Sequence, residues 1–526
     1  MTTLQFSDVQ KKSQIIKAKE LHIELPSQPV KYYRHGWQSW SLAAWTDPVQ
    51  LPVQKPAIYH PLQVDAEHVY DSNPGGAWLG AVEFADGNIL LLGALATDAY
   101  VSLGQDQLPP KGMLSGRFEA DAGEWFIAFG QENVVFAEYA EQLGNRLGTL
   151  KTKAAPRVWC SWYSLYTMID EAILYKTFDE LGDLPFDVLQ VDDGWQMNIG
   201  DWEANKKFPS GMNALADKIK STGRRAGLWL APLIATKSSK LFREHKDWFL
   251  RDKRGRHVSA GFNWGEPLYA LDTTHPDATL WLVALMKQVR TWGFDYLKLD
   301  FLYAGALKGK RHNNMPREAA YRECLQTLRE AMGADAFFLT CGTPILPAIG
   351  LCDAMRISVD VANEWDNYRN SELFYNPSTP GTKNGIRTAI HRLWLKPLLH
   401  IDPDVAYFES KINSLPQEQK TLLQDLAQIC NFKATSDLPQ WMTKNELDEL
   451  RSFLNRTPKV EQTGRYTFRL DERTVDFMPA ISLPNKKTGM LGLWAAFLSW
   501  LGDRHLVLKI YKILDDGNLK KRRAGL

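Results

Sequence analysis

The sequence predicts a multidomain protein: a central (β/α)8 TIM barrel with an N-terminal β-sandwich before it and a small C-terminal β domain after it. Three observations lead there. Short apolar stretches broken by turn residues fill positions 20 to 150, with almost no helical periodicity. After Pro156 the rhythm becomes strand, loop, helix, and eight apolar strand candidates follow. From Tyr466 strand-like alternation returns in RYTFRL and TVDFMPAI. The units implied are 1–150, 151–456 and 457–526.

In the first unit, Ala77–Phe84 (AWLGAVEF) and Ile89–Leu95 (ILLLGAL) flank Asp86-Gly87, the signal of a hairpin. Further strands are expected at Val53–Tyr59, Ala99–Leu103 and Glu124–Phe129, and Val134–Gly148 reads as a helix leading out. The barrel strands are expected at Arg157–Tyr163, Val188–Asp192, Ala226–Ala231, Tyr296–Asp300, Ala336–Cys341, Asp353–Ile357, Pro397–Ile401 and Phe432–Ser436. Between most of them, i, i+3, i+4 spacing marks helices, as in Ala278–Trp292 and Pro316–Met332. A doubly wound open sheet is the alternative, but no glycine-rich dinucleotide fingerprint follows the first strand.

Composition narrows the function classes. The 526 residues carry 62 Lys+Arg against 61 Asp+Glu, which excludes a polybasic nucleic-acid binder. Five widely spaced cysteines without a CxxC pair are neither a disulfide framework nor a zinc cluster, so no metal or cofactor is expected. The N-terminus lacks the apolar core of a secretory signal. The longest apolar run, Gly489–Gly502, is shorter than the roughly 20 residues of a membrane span. A cytoplasmic enzyme with no membrane or nucleic-acid partner is the expectation. The 19 Trp, 18 Tyr and 23 Phe hint at a flat, weakly polar ligand such as a sugar.

Catalytic groups of a barrel project from the C-terminal ends of its strands, so the acids there matter most. VLQVDDGW places Asp192 and Asp193 at the mouth, DYLKLDFL places Lys298 and Asp300, and AMRISVD places Arg356 and Asp360; HIDPD follows at residues 400 to 404. Lys298 and Asp300 share one face of a strand, and a cation beside Asp300 would keep it ionised, as a carboxylate nucleophile requires. Asp360, set in a less polar place away from Arg356, could serve as a general acid. Either pair taken alone reads as an ion pair holding the barrel rim. Both on alternate strands read as function, and two carboxylates are the minimal kit of a retaining glycosidase. Trp162, Tyr163, Trp195, Trp202 and Trp229 supply faces on which sugar C–H groups can stack, and Asp192 and Asp193 can accept two hydroxyl hydrogen bonds. No phosphate-cradling loop and no GxSxG elbow occurs.

The segments CSWYSLY, LQVDDGWQMNIGDWEANKKFPSGM, AGLWLAP, YLKLDFLYAGA, LTCGTPILPAIG and MRISVDVA resemble the motifs of glycoside hydrolase family 36, the melibiase-like α-galactosidases. HGWQSWS, residues 35 to 41, resembles part of that family's N-terminal sandwich. The resemblance implies a retaining double displacement on terminal α-galactosyl groups of melibiose- or raffinose-like oligosaccharides. Asp300 would be the nucleophile, Asp360 the acid/base, and Asp192 with Asp193 the holders of the C4 and C6 hydroxyls. It also implies that Trp162, Trp229, Lys298, Cys341 and Arg356 line the pocket, with Trp37 or Trp40 reaching in from the sandwich. Cys341-Gly342 resembles the galactose-type pocket rather than one opened for an N-acetyl group. The compact length resembles members that are monomers or small homo-oligomers. The segment after Met478 departs from the family pattern. A raffinose-synthase-type transglycosylase, an α-N-acetylgalactosaminidase and a non-catalytic sugar-binding barrel are the alternatives; the last would be expected to lack Asp300 or Asp360.

Overall fold

A computed structural model describes residues 1–49, 65, 68, 71, 73–105, 112–366, 377–483, 490 and 494. The strand expected at Val53–Tyr59 lies outside the described residues, as does nearly all of the apolar run at 489–502.

Two sheets form the N-terminal part. One has five strands in the order Thr2–Gln5, Glu20–Glu24, Gly112–Phe118, Ala99–Gln105, Gly75–Ala77. The other has six, in the order Gln14–Ala18, Gly123–Gly130, Ile89–Ala94, Leu79–Glu83, Lys31–His35, Ala43–Thr46. They pack face to face: Trp125 of the second lies against Phe118 of the first, ring centroids 4.5 Å apart. The Asp86-Gly87 hairpin forms, with Gly87 at φ 81°, in the region its missing Cβ leaves open. The single strand expected at Ala77–Phe84 is instead two. Trp78 sits at φ 65°, which reverses the pleat, and the second piece changes sheets.

All eight barrel strands form. They are β1 (Arg157–Cys160), β2 (Val188–Val191), β3 (Arg225–Leu230), β4 (Tyr296–Leu299), β5 (Phe337–Thr340), β6 (Ala354–Arg356), β7 (His400–Asp402) and β8 (Lys433–Thr435). Every adjacent pairing from β8 through β1 to β7 is parallel. The Ala406 N–H donates to the Ala434 carbonyl at 2.8 Å across the remaining seam, so the barrel is nearly closed. Helices follow, such as Pro276–Trp292 after β3 and Arg317–Met332 after β4. The β5–β6 connection keeps only the turn Ile345–Ala348, because Pro344 and Pro347 cannot extend a helix and Gly350, at φ 80°, ends it.

The loop Gly36–Leu42 of the sandwich docks on the chain after β5. Ser39 N–H donates to Thr343 O at 2.9 Å, and Thr343 N–H returns to Ser39 Oγ at 3.3 Å. Beyond the barrel, Val460–Gln462, Thr467–Leu470 and Arg473–Asp476 form an antiparallel sheet. The stretch MPAI, expected as strand, is the short helix Met478–Ile481. Arg465 ties this sheet to the sandwich through Glu83 (3.0 Å) and Glu132 (2.5 Å). Among the described residues no helix is long and apolar enough to cross a membrane.

Candidate active site

The acids gather where strand order places them, at the C-terminal mouth of the barrel. Asp300 follows β4 and is 7% exposed. Its Oδ2 accepts the indole N–H of Trp229, from β3, at 2.9 Å. Its Oδ1 accepts the Phe301 N–H at 2.8 Å, and Phe301 at φ 54° turns the chain sharply away from the strand. Burial pushes the Asp300 pKa up, while Lys298 and the Trp229 N–H draw it down; the Asp360 carboxylate adds a further upward push.

Two expectations about these acids are corrected. Lys298 does not pair with Asp300; its Nζ lies 2.9 Å from Asp192 Oδ2. Alternate residues of one strand stand about 7 Å apart, whereas each interior layer of a barrel is built from alternate strands. Lys298 of β4 therefore meets the acid that follows β2. Burial works against the Lys298 ammonium, but Asp192 and Cys160 hold its pKa well above the usual value. The second correction concerns Asp360, which stands on Arg356 rather than away from it, Oδ1 to Nη1 3.1 Å, with its side chain 34% exposed.

Arg356 is shared among several acids. Its Nε donates to Asp402 Oδ2 at 3.0 Å and its Nη2 lies 2.8 Å from Asp404 Oδ1. The Tyr163 hydroxyl donates to Asp404 Oδ2, which also accepts the Val361 N–H, one residue past Asp360. Asp404 is held at φ 86°, an uncommon conformation for a residue with a side chain. Burial pushes its pKa up against the pull of Arg356. Tyr163 is therefore a buried strut of this network.

Asp192 and Asp193 are both buried. Asp192 Oδ2 accepts from Lys298 and from Gln190 Nε2 (2.7 Å), and its Oδ1 accepts the Asp193 N–H. Asp193 Oδ1 accepts from Gln196, and its Oδ2 accepts the Trp264 indole N–H at 2.7 Å. Burial pushes Asp193 up to about 6. Trp264 was not foreseen. It sits at φ 51° at the tip of the hairpin Ser259–Asn263/Glu266–Ala270, an insertion after β3. Asn-Trp-Gly inside a turn (residues 263 to 265) is the signal that could have found it, since a turn rarely spends a tryptophan without a contact. Its ring centroid is 6.2 Å from Trp229 and 5.2 Å from Phe301.

Of the two sandwich tryptophans, Trp40 reaches the mouth. Its indole N–H donates to Cys341 Sγ at 3.2 Å, and its ring lies 5.0 Å from that of Phe301. Gly342, at φ 55°, sits where a side chain would be strained and tight: a Cβ there would stand 3.1–3.2 Å from the Trp40 ring. Burial and the nearby Asp300 carboxylate push the Cys341 thiol well up, keeping it a neutral lining group. Trp37 does not join the site. It is buried against Tyr303, with the Arg317 guanidinium 6.0 Å from its ring. Trp202 is likewise buried, packed on Trp229 and Trp195 with centroids 5.9 and 6.1 Å away, a support for the lining. Trp162 is half-buried in the helical turn after β1, edge-on to Tyr166 at 5.0 Å.

The chain is similar to several known proteins. A family model described as Melibiase matches residues 126–330. The α-galactosidase TtGalA from Thermus thermophilus, solved with p-nitrophenyl α-D-galactopyranoside, is 43% identical to the chain. That match covers 90% of this chain and 96% of that one, with a TM-score of 0.84. Alpha-galactosidase AgaA of Geobacillus stearothermophilus is 29% identical over 122 residues, 21% of this chain and 17% of that protein. The A type blood alpha-D-galactosamine galactosaminidase of Flavonifractor plautii is 30% identical over 204 residues, 35% of this chain and 19% of that protein. The chain thus spans less than a quarter of the length of these two curated relatives. With the 43% identity to TtGalA running nearly end to end in both chains, the chain belongs to the glycoside hydrolase family 36 α-galactosidases.

Proposed function

We propose that the protein is a retaining α-galactosidase that removes terminal α-D-galactosyl groups from oligosaccharides such as melibiose and raffinose. The observation that carries this reading is a pair of carboxylates at the barrel mouth, each held by its own donor: Asp300 by the Trp229 indole N–H at 2.9 Å and Asp360 by Arg356 at 3.1 Å. Asp300, oriented by the Trp229 and Phe301 N–H groups, attacks C1 and forms a β-galactosyl ester. Asp360 passes its proton to the departing glycosidic oxygen. Asp360, now the base, then takes a proton from water as that water attacks C1, and the ester bond to Asp300 breaks with return of the α anomer. The N–H donors already in place keep Asp300 ionised and fix the direction of its oxygens for attack.

Asp192 and Asp193 accept the C4 and C6 hydroxyls in this reading, and Lys298, Gln196 and Trp264 fix their oxygens. Trp229, Trp162, Cys341, Gly342 and Arg356 complete the wall. TtGalA has also been solved with stachyose, which supports galacto-oligosaccharides as the substrate class. The Trp40 ring over Gly342 supports galactose over N-acetylgalactosamine, because it fills the space at Cys341-Gly342. The same reading takes the chain as a cytoplasmic monomer or small homo-oligomer of three units, 1–150, 151–456 and 457–526. A panel of aryl α-glycosides of galactose, N-acetylgalactosamine and glucose tests it, with the first product anomer followed by NMR. Preferential turnover of the galactoside with α-galactose appearing first is expected. Preference for the N-acetylgalactosaminide, or β-galactose first, would overturn it.

A further inference from the structure

Arg392 is fully buried in the turn after the helix Thr382–Ile390, and among the described residues no carboxylate pairs with it. Backbone carbonyls take the place of a counterion. Its Nη1 reaches Ser39 O, and Ile357 O at 2.9 Å; its Nη2 reaches Ser41 O at 2.8 Å, Gln38 O at 3.1 Å and Gly36 O at 3.3 Å. Burial without an acid draws its pKa down, as expected for a cation held by dipoles alone. Four of the five carbonyls belong to the sandwich loop that carries Trp40. The fifth follows Arg356, the residue paired with Asp360. One guanidinium therefore ties the sandwich loop to the strand end that supplies the proposed acid/base.

A turn whose carbonyls converge on one point needs several donors at that point, and a planar guanidinium supplies them in fixed directions. The loop is also tied to the chain after β5, by Ser39 to Thr343 and by the Ile345 N–H to Trp37 O at 3.2 Å. Without the guanidinium, the carbonyls of Gly36, Gln38, Ser39 and Ser41 lose their shared donor in a water-poor place, and the loop must turn them elsewhere.

We infer that Arg392 is a positioning residue for galactose recognition: by gathering the loop carbonyls it fixes the Trp40 ring over Gly342 and the Trp40 N–H on Cys341. This rests on the reading of Trp40 as part of the galactose pocket. The test is a double-mutant cycle of Arg392→Met with Trp40→Ala on the full chain, reading kcat/KM for an aryl α-galactoside and the melting temperature of each variant. In the wild-type background Arg392→Met is expected to lower kcat/KM by about 10²-fold, the scale of an ångström-size misplacement. Arg392→Lys, with fewer donors, is expected to lower it less. In the Trp40→Ala background, Arg392→Met changes kcat/KM by no more than about twofold, because no ring is left to position. If Arg392→Met does not accumulate folded, Arg392→Lys carries the same cycle. Equal losses in both backgrounds, a purely structural effect, would overturn the inference while leaving Trp40 in the pocket. Wild-type kcat/KM in Trp40→Ala alone would remove Trp40 from the pocket, and the inference with it.

Discussion

Replacing Trp229 with Phe removes one donor from Asp300 while leaving an aromatic ring in the wall. The lost contact is an N–H to a carboxylate oxygen at 2.9 Å in a buried site. Hydrogen bonds to charged groups contribute about 1.5–3 kcal/mol, which corresponds to about 1–2 pH units in the pKa of the accepting acid. The direction follows from which form the donor favours. The indole N–H stabilises ionised Asp300, so without it the pKa, already pushed up by burial, rises further. A nucleophile works only as the anion, so the acid limb of kcat/KM should move to higher pH by about 1–2 units. The assay is kcat/KM for an aryl α-galactoside across the acid range. Trp202→Phe serves as the control, since Trp202 packs on Trp229 with centroids 5.9 Å apart but donates nothing to Asp300. An acid limb unmoved in Trp229→Phe, or moved equally in Trp202→Phe, would refute the assignment of that limb to Asp300.

Asp360→Ala should cost most on substrates with poor leaving groups, because these need the proton that Asp360 supplies; equal losses across a series of aryl galactosides would contradict the acid role. Far from the mouth, at the entry to β6, buried Asp353 holds Lys153 at 2.9 Å, Arg329 at 2.5 Å and the Phe338 N–H at 2.7 Å. Asp353→Ala should lower the unfolding free energy by about 3–5 kcal/mol, read from the denaturant midpoint, because it strands two cations; a change under about 1 kcal/mol would show the network to be slack.

The barrel was legible because its strands are continuous apolar runs ending in acids, as in VLQVDD and YLKLD. Most boundaries were overestimated by the residues that leave the sheet at the mouth, whereas the seventh strand was placed early, Pro397–Ile401 being expected where His400–Asp402 forms. Asp192 and Asp300 were placed at the mouth correctly, but their partners were not: a pattern along one strand cannot reveal that a barrel layer joins β2 to β4, which is where Lys298 goes. The environment of Asp360 was not legible for a related reason. The acids that divide Arg356, Asp402 and Asp404, arrive from β7, more than forty residues downstream. Trp264 was missed because its role depends on the fold of an inserted hairpin. Trp37 and Trp40 looked equivalent in HGWQSWS, and only the turn that Ser39 and Arg392 fix separates the one that reaches Cys341 from the one that packs on Tyr303.

The central claim is that the Asp300 carboxylate bonds to the sugar during turnover. A slow fluorinated galactosyl fluoride, which enters the covalent step but leaves it reluctantly, tests this by mass spectrometry of the intact protein and its peptides. One sugar per chain on the peptide containing Asp300, released on adding an acceptor as activity returns, is the predicted result. A label on another acid, or full inactivation with no covalent adduct, would contradict it.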